Sequence, residues 1–427
     1  MYAETWLNAA SKLPSFCSGV YKVENVENIT CDGVLSFKYT KDHSKWTISE
    51  HKKWTCIGDI NRTKFHIYMM TGKTTVCVML VVLATGLPGR DGKITCMDPS
   101  GNPVDWFIVY KLPCDSKSSD PLIKEGVAHM YMDVNSQSFS RSTVSLKDTN
   151  QAVARTLQQI YKNHKSQDVV YVLYNDEFPN GTVSLDKGHT KGDIAFDHES
   201  GFWLIHSVPK FPNSSDQSYV WPSNAVWFGQ SMLCISMKTL EFVKVAHQLL
   251  YNNPWVYDAN IPQSFKAKFE DLVSVTEGHH VESAPWNSSV VLTSAGGQAF
   301  TSYAKFVNFG EDLYSHWVAP ALGDDMYAET WRKAATKLPS FCTGVYKVEN
   351  VENITFDGVL SFEYTKDHSK WAISEHEKWT CIGDINRNES QFKRGGGTVC
   401  FKIPAVWTAF NTLIANFSRC PASLSHS

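Results

Sequence analysis

The chain has 427 residues, 43% of them hydrophobic and 13% aromatic, a composition that excludes intrinsic disorder and suffices for two or three ordinary domains. A net charge of −3 excludes a uniformly basic nucleic-acid binder, so any contact with a polyanion must use a local basic cleft. Eleven scattered cysteines without a Cys-x-x-Cys pair exclude a zinc knuckle or redox dithiol of the usual spacing. With eight Asn-x-Ser/Thr sequons they point to the secretory pathway, and the 15 histidines suit work in acid, where they charge.

The chain opens on a repeat. Met1–Arg62 recurs as Met326–Arg387 with 54 of 62 positions identical, which reads as recent duplication rather than an old structural repeat. Residues 63–92 read as a linker. Within it Lys73 precedes the apolar run Val76–Ala84, and a polar exit follows at Arg90-Asp91-Gly92. That is the pattern of a secretory signal peptide, and it is too short to span a membrane comfortably. A buried strand or helix is the alternative. The expected layout is therefore a fragment at 1–62, a linker at 63–92 and a complete copy at 93–427, as if two gene copies had been joined. No stable membrane anchor is expected.

The complete copy reads as mixed α/β. Val104–Leu112, Val169–Tyr174, Phe202–Val208 and Val226–Ser236 are apolar, β-rich runs. Val153, Leu157 and Ile160 share one helical face, with Asp148 or Thr149 as a cap, and Lys238–Leu250 has helical spacing. Strands alternating with helices predict an α/β/α layered sandwich.

Two short motifs carry chemistry. Gly188-His189-Thr190-Lys191-Gly192 and Asp367-His368-Ser369-Lys370-Trp371 each place His and Lys two apart, so that on a strand both side chains point the same way. The pair suits a phosphodiester. Lys neutralises a non-bridging oxygen, and His attacks phosphorus or protonates the leaving oxygen. Alone the tripeptide is weak, since two solvated side chains are the commoner outcome.

Longer stretches add specificity. They are His189-Thr190-Lys191-Gly192 with Phe196-Asp197 and Ser200–Ser207, then Asp367–Trp371 with Trp379–Arg387, then Arg394-Gly395-Gly396-Gly397-Thr398-Val399-Cys400. Pro103–Lys111, Gly278-His279-His280 and Pro285–Ser289 fall in order with them. Over about residues 93–420 the chain resembles the deoxyribonuclease II family. The resemblance implies a phospholipase-D-like fold of two similar halves, each giving one His-x-Lys. It implies endonucleolytic cleavage of double-stranded DNA in acid, with no metal or other cofactor, leaving 3′-phosphates. It makes His189, Lys191, His368 and Lys370 catalytic, Asn386 the supporting amide, and Cys96–Cys234, Cys342–Cys420 and Cys381–Cys400 disulfides, with Cys114 left over. The wider superfamily's Asp lies five residues after Lys; here Asp197 lies six after Lys191, and Glu375 stands five after Lys370 where that Asp would be, so the half-site carboxylates stay open.

Three features stay open. His206 shares an apolar strand face with Phe202, Leu204 and Val208, so a core histidine and a supporting role both fit. Arg394 with its glycines fits a phosphate cradle or a plain tight loop. His279-His280 lacks a carboxylate at ligand spacing and reads as structural. In the expected reaction neutral His189 forms a phosphohistidine and His368 is the acid, with the reverse assignment open. The alternatives are a phospholipase-D-type phosphodiesterase and an inactive secreted DNA-binding or immune-modulating homologue. The expected location is the lysosome or outside the cell. The extra motif Asp42–Trp46 is expected to be non-catalytic.

Overall fold

The computed structural model describes residues 93–136, 138–333 and 335–421, together with short strands among the first 57 residues. The linker, its signal-like run and the sequence Asp42–Lys45 lie outside the described residues. The chain divides into two units, Met1–Gly89 and Arg90–Ser427.

In the first unit Tyr2–Glu4 pairs with Glu24–Asn25 in parallel and with Trp46–Ile48 antiparallel, and Thr55–Ile57 pairs beyond. Its near-identical counterpart in the second unit has the same registers. Tyr2 faces Ile48 as Tyr327 faces Ile373, and Glu4 faces Trp46 as Glu329 faces Trp371.

The second unit is built on two large sheets. The first has eight strands, all paired antiparallel, with Trp106–Lys111, Gln230–Lys238, Ser200–His206, Gly192–Phe196 and Val170–Tyr174 side by side. The second runs Ala299–Lys305, Gly396–Lys402, Trp379–Gly383, Trp371–Ser374 and Met326–Glu329 in the corresponding places. In both, a His-x-Lys leads directly into the fourth strand of that series.

The mixed α/β class holds, and the layering is richer than a single α/β/α stack. Trp106, Ile108 and Tyr110 alternate with Phe107 and Val109, and both sets are buried because both faces of the sheet are covered. The first set packs into a shared interior with Phe242, Val245 and Leu249 of the helix Glu241–Asn252 and with Phe300, Trp371 and Phe401 of the second sheet. The second set packs under the helix Ala152–Asn163 through Val153, Leu157 and Ile160. A third cluster covers the outer face of the second sheet with Tyr314 and Val318.

Two local expectations shift. The helix Ala152–Asn163 is capped by Gln151, whose side chain accepts from the N–H groups of Val153 and Ala154. Asp148 instead closes its own turn on Asn150. The strand expected from Val226 starts at Gln230, because Lys111 Nζ draws the Val226 and Phe228 carbonyls out of any ladder. The structure pairs Cys96 with Cys234, Cys342 with Cys420 and Cys381 with Cys400, and leaves Cys114 free.

Candidate active site

The two His-x-Lys segments meet where the halves join. Each is tied down by the strand entry of the opposite half. His189 N–H donates to the Gly395 carbonyl at 2.9 Å, just before Gly396–Lys402, and His368 N–H to the Gly229 carbonyl at 2.8 Å, just before Gln230–Lys238. Lys370 N–H also bonds Ser231 Oγ at 3.2 Å, and Thr190 Oγ1 donates to the Asp384 carboxylate.

Around His189 the surroundings are ionic. Its Nδ1 bonds the Asp384 backbone carbonyl, which only accepts, so this nitrogen carries the proton and Nε2 keeps its lone pair. Asp176 Oδ2 lies 3.9 Å from that Nε2 and 3.1 Å from Arg394 Nη2, while Oδ1 accepts from Lys191 Nζ. Burial alone would push the Asp176 carboxyl up, but Lys191, His189 and Arg394 together hold it below the usual range. Burial, reinforced by Lys191, Arg394 and Lys370 and opposed by Asp176, lowers His189 well below an ordinary imidazole.

Around His368 they are aromatic. Its ring stacks on Phe228 at 4.3 Å and 7°, and Trp331 meets it edge-on at 3.8 Å. Its Nε2 is buried without a partner among the described residues. Burial and then Lys370, Lys191, Lys111 and Lys333 push His368 down to about 2. Lys370, whose Nζ donates to the His368 carbonyl at 2.6 Å, is lowered to about 7 by burial and then by Lys191. Behind this half Asp367 accepts from Tyr110 and from Ser369 Oγ. Both oxygens of the fully buried Glu329 lack partners among the described residues, and burial followed by Asp367 raises its pKa well above the usual range.

His206 lies opposite Lys191 on the neighbouring strand of the same sheet. It is fully buried, its backbone N–H bonds the Lys191 carbonyl at 3.3 Å, and its Nδ1 accepts from Val208 N–H at 3.2 Å, which leaves Nε2 to face Asp193 at 3.5 Å. Asn386 is 6% exposed and its Oδ1 has no partner among the described residues. Arg394 is occupied by Asp176 and by the carbonyls of Ser184, Lys187 and Gly188, so its guanidinium supports the His189 loop rather than standing open. His279 and His280 are exposed, with His280 stacked on Phe306. Among the described residues no three His, Cys, Asp or Glu side chains are grouped to hold a metal.

Sequence reasoning missed Asp176, Asp384, Phe228 and Trp331. It searched for carboxylates after each Lys. Asp197 caps the turn at the far end of the strand Gly192–Phe196, and Glu375 accepts from Tyr327 OH beyond Trp371–Ser374. The usable signal was antiparallel pairing. Tyr174 faces Gly192, so a carboxylate two residues past Tyr174 arrives beside Lys191.

A family model described as Deoxyribonuclease II matches residues 1–86 and 95–420, the first stretch running beyond Arg62 through the apolar run. The chain is 46% identical over 345 residues to Plancitoxin-1 of Acanthaster planci, covering 80% of this chain and 96% of that one. It is 44% identical over 333 residues to Deoxyribonuclease-2-alpha of Mus musculus, covering 77% and 94%. Against Deoxyribonuclease-2 of Caenorhabditis elegans the identity is 37% over 371 residues, covering 80% and 98%.

Proposed function

The chain belongs to the deoxyribonuclease II family and is a deoxyribonuclease, and we propose that it cuts double-stranded DNA in acid, without metal, through a phosphohistidine on His189. The observation that carries this reading is the His189 tautomer. A proton fixed on Nδ1 by the Asp384 carbonyl leaves Nε2 as a nucleophile facing the joint between the halves. A phospholipase-D-like arrangement is supported by the matching strand order of the two sheets.

The reaction runs in two steps. His189 Nε2 attacks phosphorus and the bond from phosphorus to the 5′-oxygen breaks, while protonated His368 gives that oxygen its proton. Water then attacks phosphorus, His368 takes the water's proton, the phosphorus–nitrogen bond breaks, and a 3′-phosphate leaves. Lys191 and Lys370 neutralise the non-bridging oxygens. Acid dependence follows from the surroundings of His368. Its slot disfavours the imidazolium, so low pH and the incoming phosphate charge are both needed to load the proton. Lys370, near 7, also loses its charge as the medium turns alkaline. A lysosomal or secreted location fits such chemistry.

A DNA whose leaving group is a 5′-bridging sulfur tests the assignment, because it departs without a proton. His368→Ala should accumulate a covalent DNA adduct on His189, and His189→Ala should form none. An adduct on His368 in the wild type would reverse the roles, and loss of wild-type activity in excess chelator would end the metal-free mechanism.

A further inference from the structure

The two histidines face different surroundings, and the His368 side is aromatic. Phe228 and Trp331 lie 4.9 Å apart against His368. Immediately before Phe228, Trp227 is 60% exposed, and its indole makes no hydrogen bond among the described residues. A lone surface aromatic is ordinary, but the backbone that carries this one is held. Four consecutive carbonyls of its loop are held. Val226 and Phe228 accept from the fully buried Lys111, the latter at 2.7 Å. Trp227 accepts from Cys114 N–H at 3.4 Å and Gly229 from His368 N–H at 2.8 Å. The ammonium of Lys333 lies 5.9 Å from the Trp331 ring centroid. An exposed ring on a held loop one residue from the His368 stack, with a cation nearby, is suited to stack a nucleobase while the backbone is bound.

We propose that Trp227, directly preceding the Phe228 that stacks on His368, with Lys333 on a neighbouring phosphate, forms a nucleobase subsite on the His368 side of the scissile bond. The subsite rests on the nuclease reading above. Trp227 stacks on the base adjoining the cut, and wedges it from its neighbour in a duplex. Cleavage then favours bonds whose flanking base unstacks readily.

The test is an abasic scan. One end-labelled duplex, with and without a single abasic residue, is digested in acid by wild type, Trp227→Ala and Trp227→Phe, and cutting at every bond is read from a gel. In the wild type one of the two bonds beside the abasic residue should be cut about 10-fold less than in the intact duplex. Trp227→Ala should cut intact DNA about 10-fold more slowly at all bonds, within the range for one lost base stack, and should ignore the abasic residue. Trp227→Phe should restore most of the rate and the sensitivity. A wild type indifferent to the abasic residue on both sides overturns the subsite, as does Trp227→Ala cutting at the wild-type rate. Should Trp227→Ala not fold, the wild type and Trp227→Phe patterns still decide. A wild type that cuts nothing refutes the nuclease reading instead.

Discussion

His368 hangs from Gly229. Its backbone N–H donates to the Gly229 carbonyl at 2.8 Å, and a Cβ on residue 229 would overlap the Asp367 carboxylate. That carboxylate cannot swing away, since Tyr110, Ser369 Oγ and Ser369 N–H all hold it. Gly229→Ala should therefore displace His368 while the sheets remain intact. A loss of at least ~10²-fold in kcat is expected, the low end for removing acid–base catalysis. Acid kinetics alongside a melting curve check this, and a folded Gly229→Ala enzyme of normal kcat would show that the anchor is dispensable.

Asp384 sets a pH dependence of stability. Burial holds its carboxyl up at about 6, against the pull of the Gly397 N–H and the Thr190 hydroxyl, from an ordinary 3.8. The folded-state pKa is raised, so the contribution to stability is complete below 3.8 and is lost as pH rises through 6. The difference of about two units corresponds to on the order of 3 kcal/mol. His189 and His368, both lowered, run the opposite way, so the comparison must be between proteins that share them. Denaturant unfolding of wild type and Asp384→Asn at pH 4 and pH 7 should show the wild-type advantage shrinking by roughly that amount. An advantage that stays constant would place the Asp384 titration elsewhere.

The parts of the site legible in the sequence were those in which spacing along one strand is the geometry. His and Lys two apart on an extended segment face one way whatever the tertiary fold, so both pairs could be named. The two halves of the environment could not. Asp176 reaches Lys191 only through the pairing of Tyr174 with Gly192, and Phe228 reaches His368 across more than a hundred residues. Arg394 shows the same limit. Its glycine-rich neighbourhood fitted either a phosphate cradle or a loop, and the choice depended on carbonyls at Ser184, Lys187 and Gly188 that no local pattern announces.

The sequons are not equivalent once folded. Asn180, Asn353 and Asn416 are exposed. Asn388 is 4% exposed, and its Oδ1 accepts from Ser390 N–H, Ser390 Oγ and Thr336 Oγ1. A glycan on Asn388 would have to unmake that turn. Site-resolved glycopeptide mapping of protein secreted from eukaryotic cells should find Asn388 bare. Substantial occupancy there would contradict the local packing.

The last prediction concerns His43, which stands in Asp42-His43-Ser44-Lys45-Trp46, the same five residues as Asp367–Trp371. Sequence alone makes it catalytic, and the strands described around it share the registers of their counterparts. We predict that it does not replace His368. A working second half-site needs the Gly229 carbonyl under the histidine, Ser231 on the lysine N–H and Phe228 against the ring. Those groups are already engaged by the segment that contains His368. To take its place, the duplicate would have to displace Trp371–Ser374 and Trp379–Gly383 from a nine-stranded sheet. Cys381 and Cys342 are bonded to Cys400 and Cys420, which lie beyond the duplicated stretch and tie the resident segment at both ends. A tether raises the effective concentration of the duplicate, yet the two disulfides keep the resident segment tethered beside the place it would have to leave. In the full-length chain His368→Ala should therefore stay inactive with His43 intact, and removing Met1–Tyr68 from the wild type should leave secreted activity equal or higher. Activity surviving in His368→Ala and vanishing on further His43→Ala would prove that the duplicate does exchange into the site.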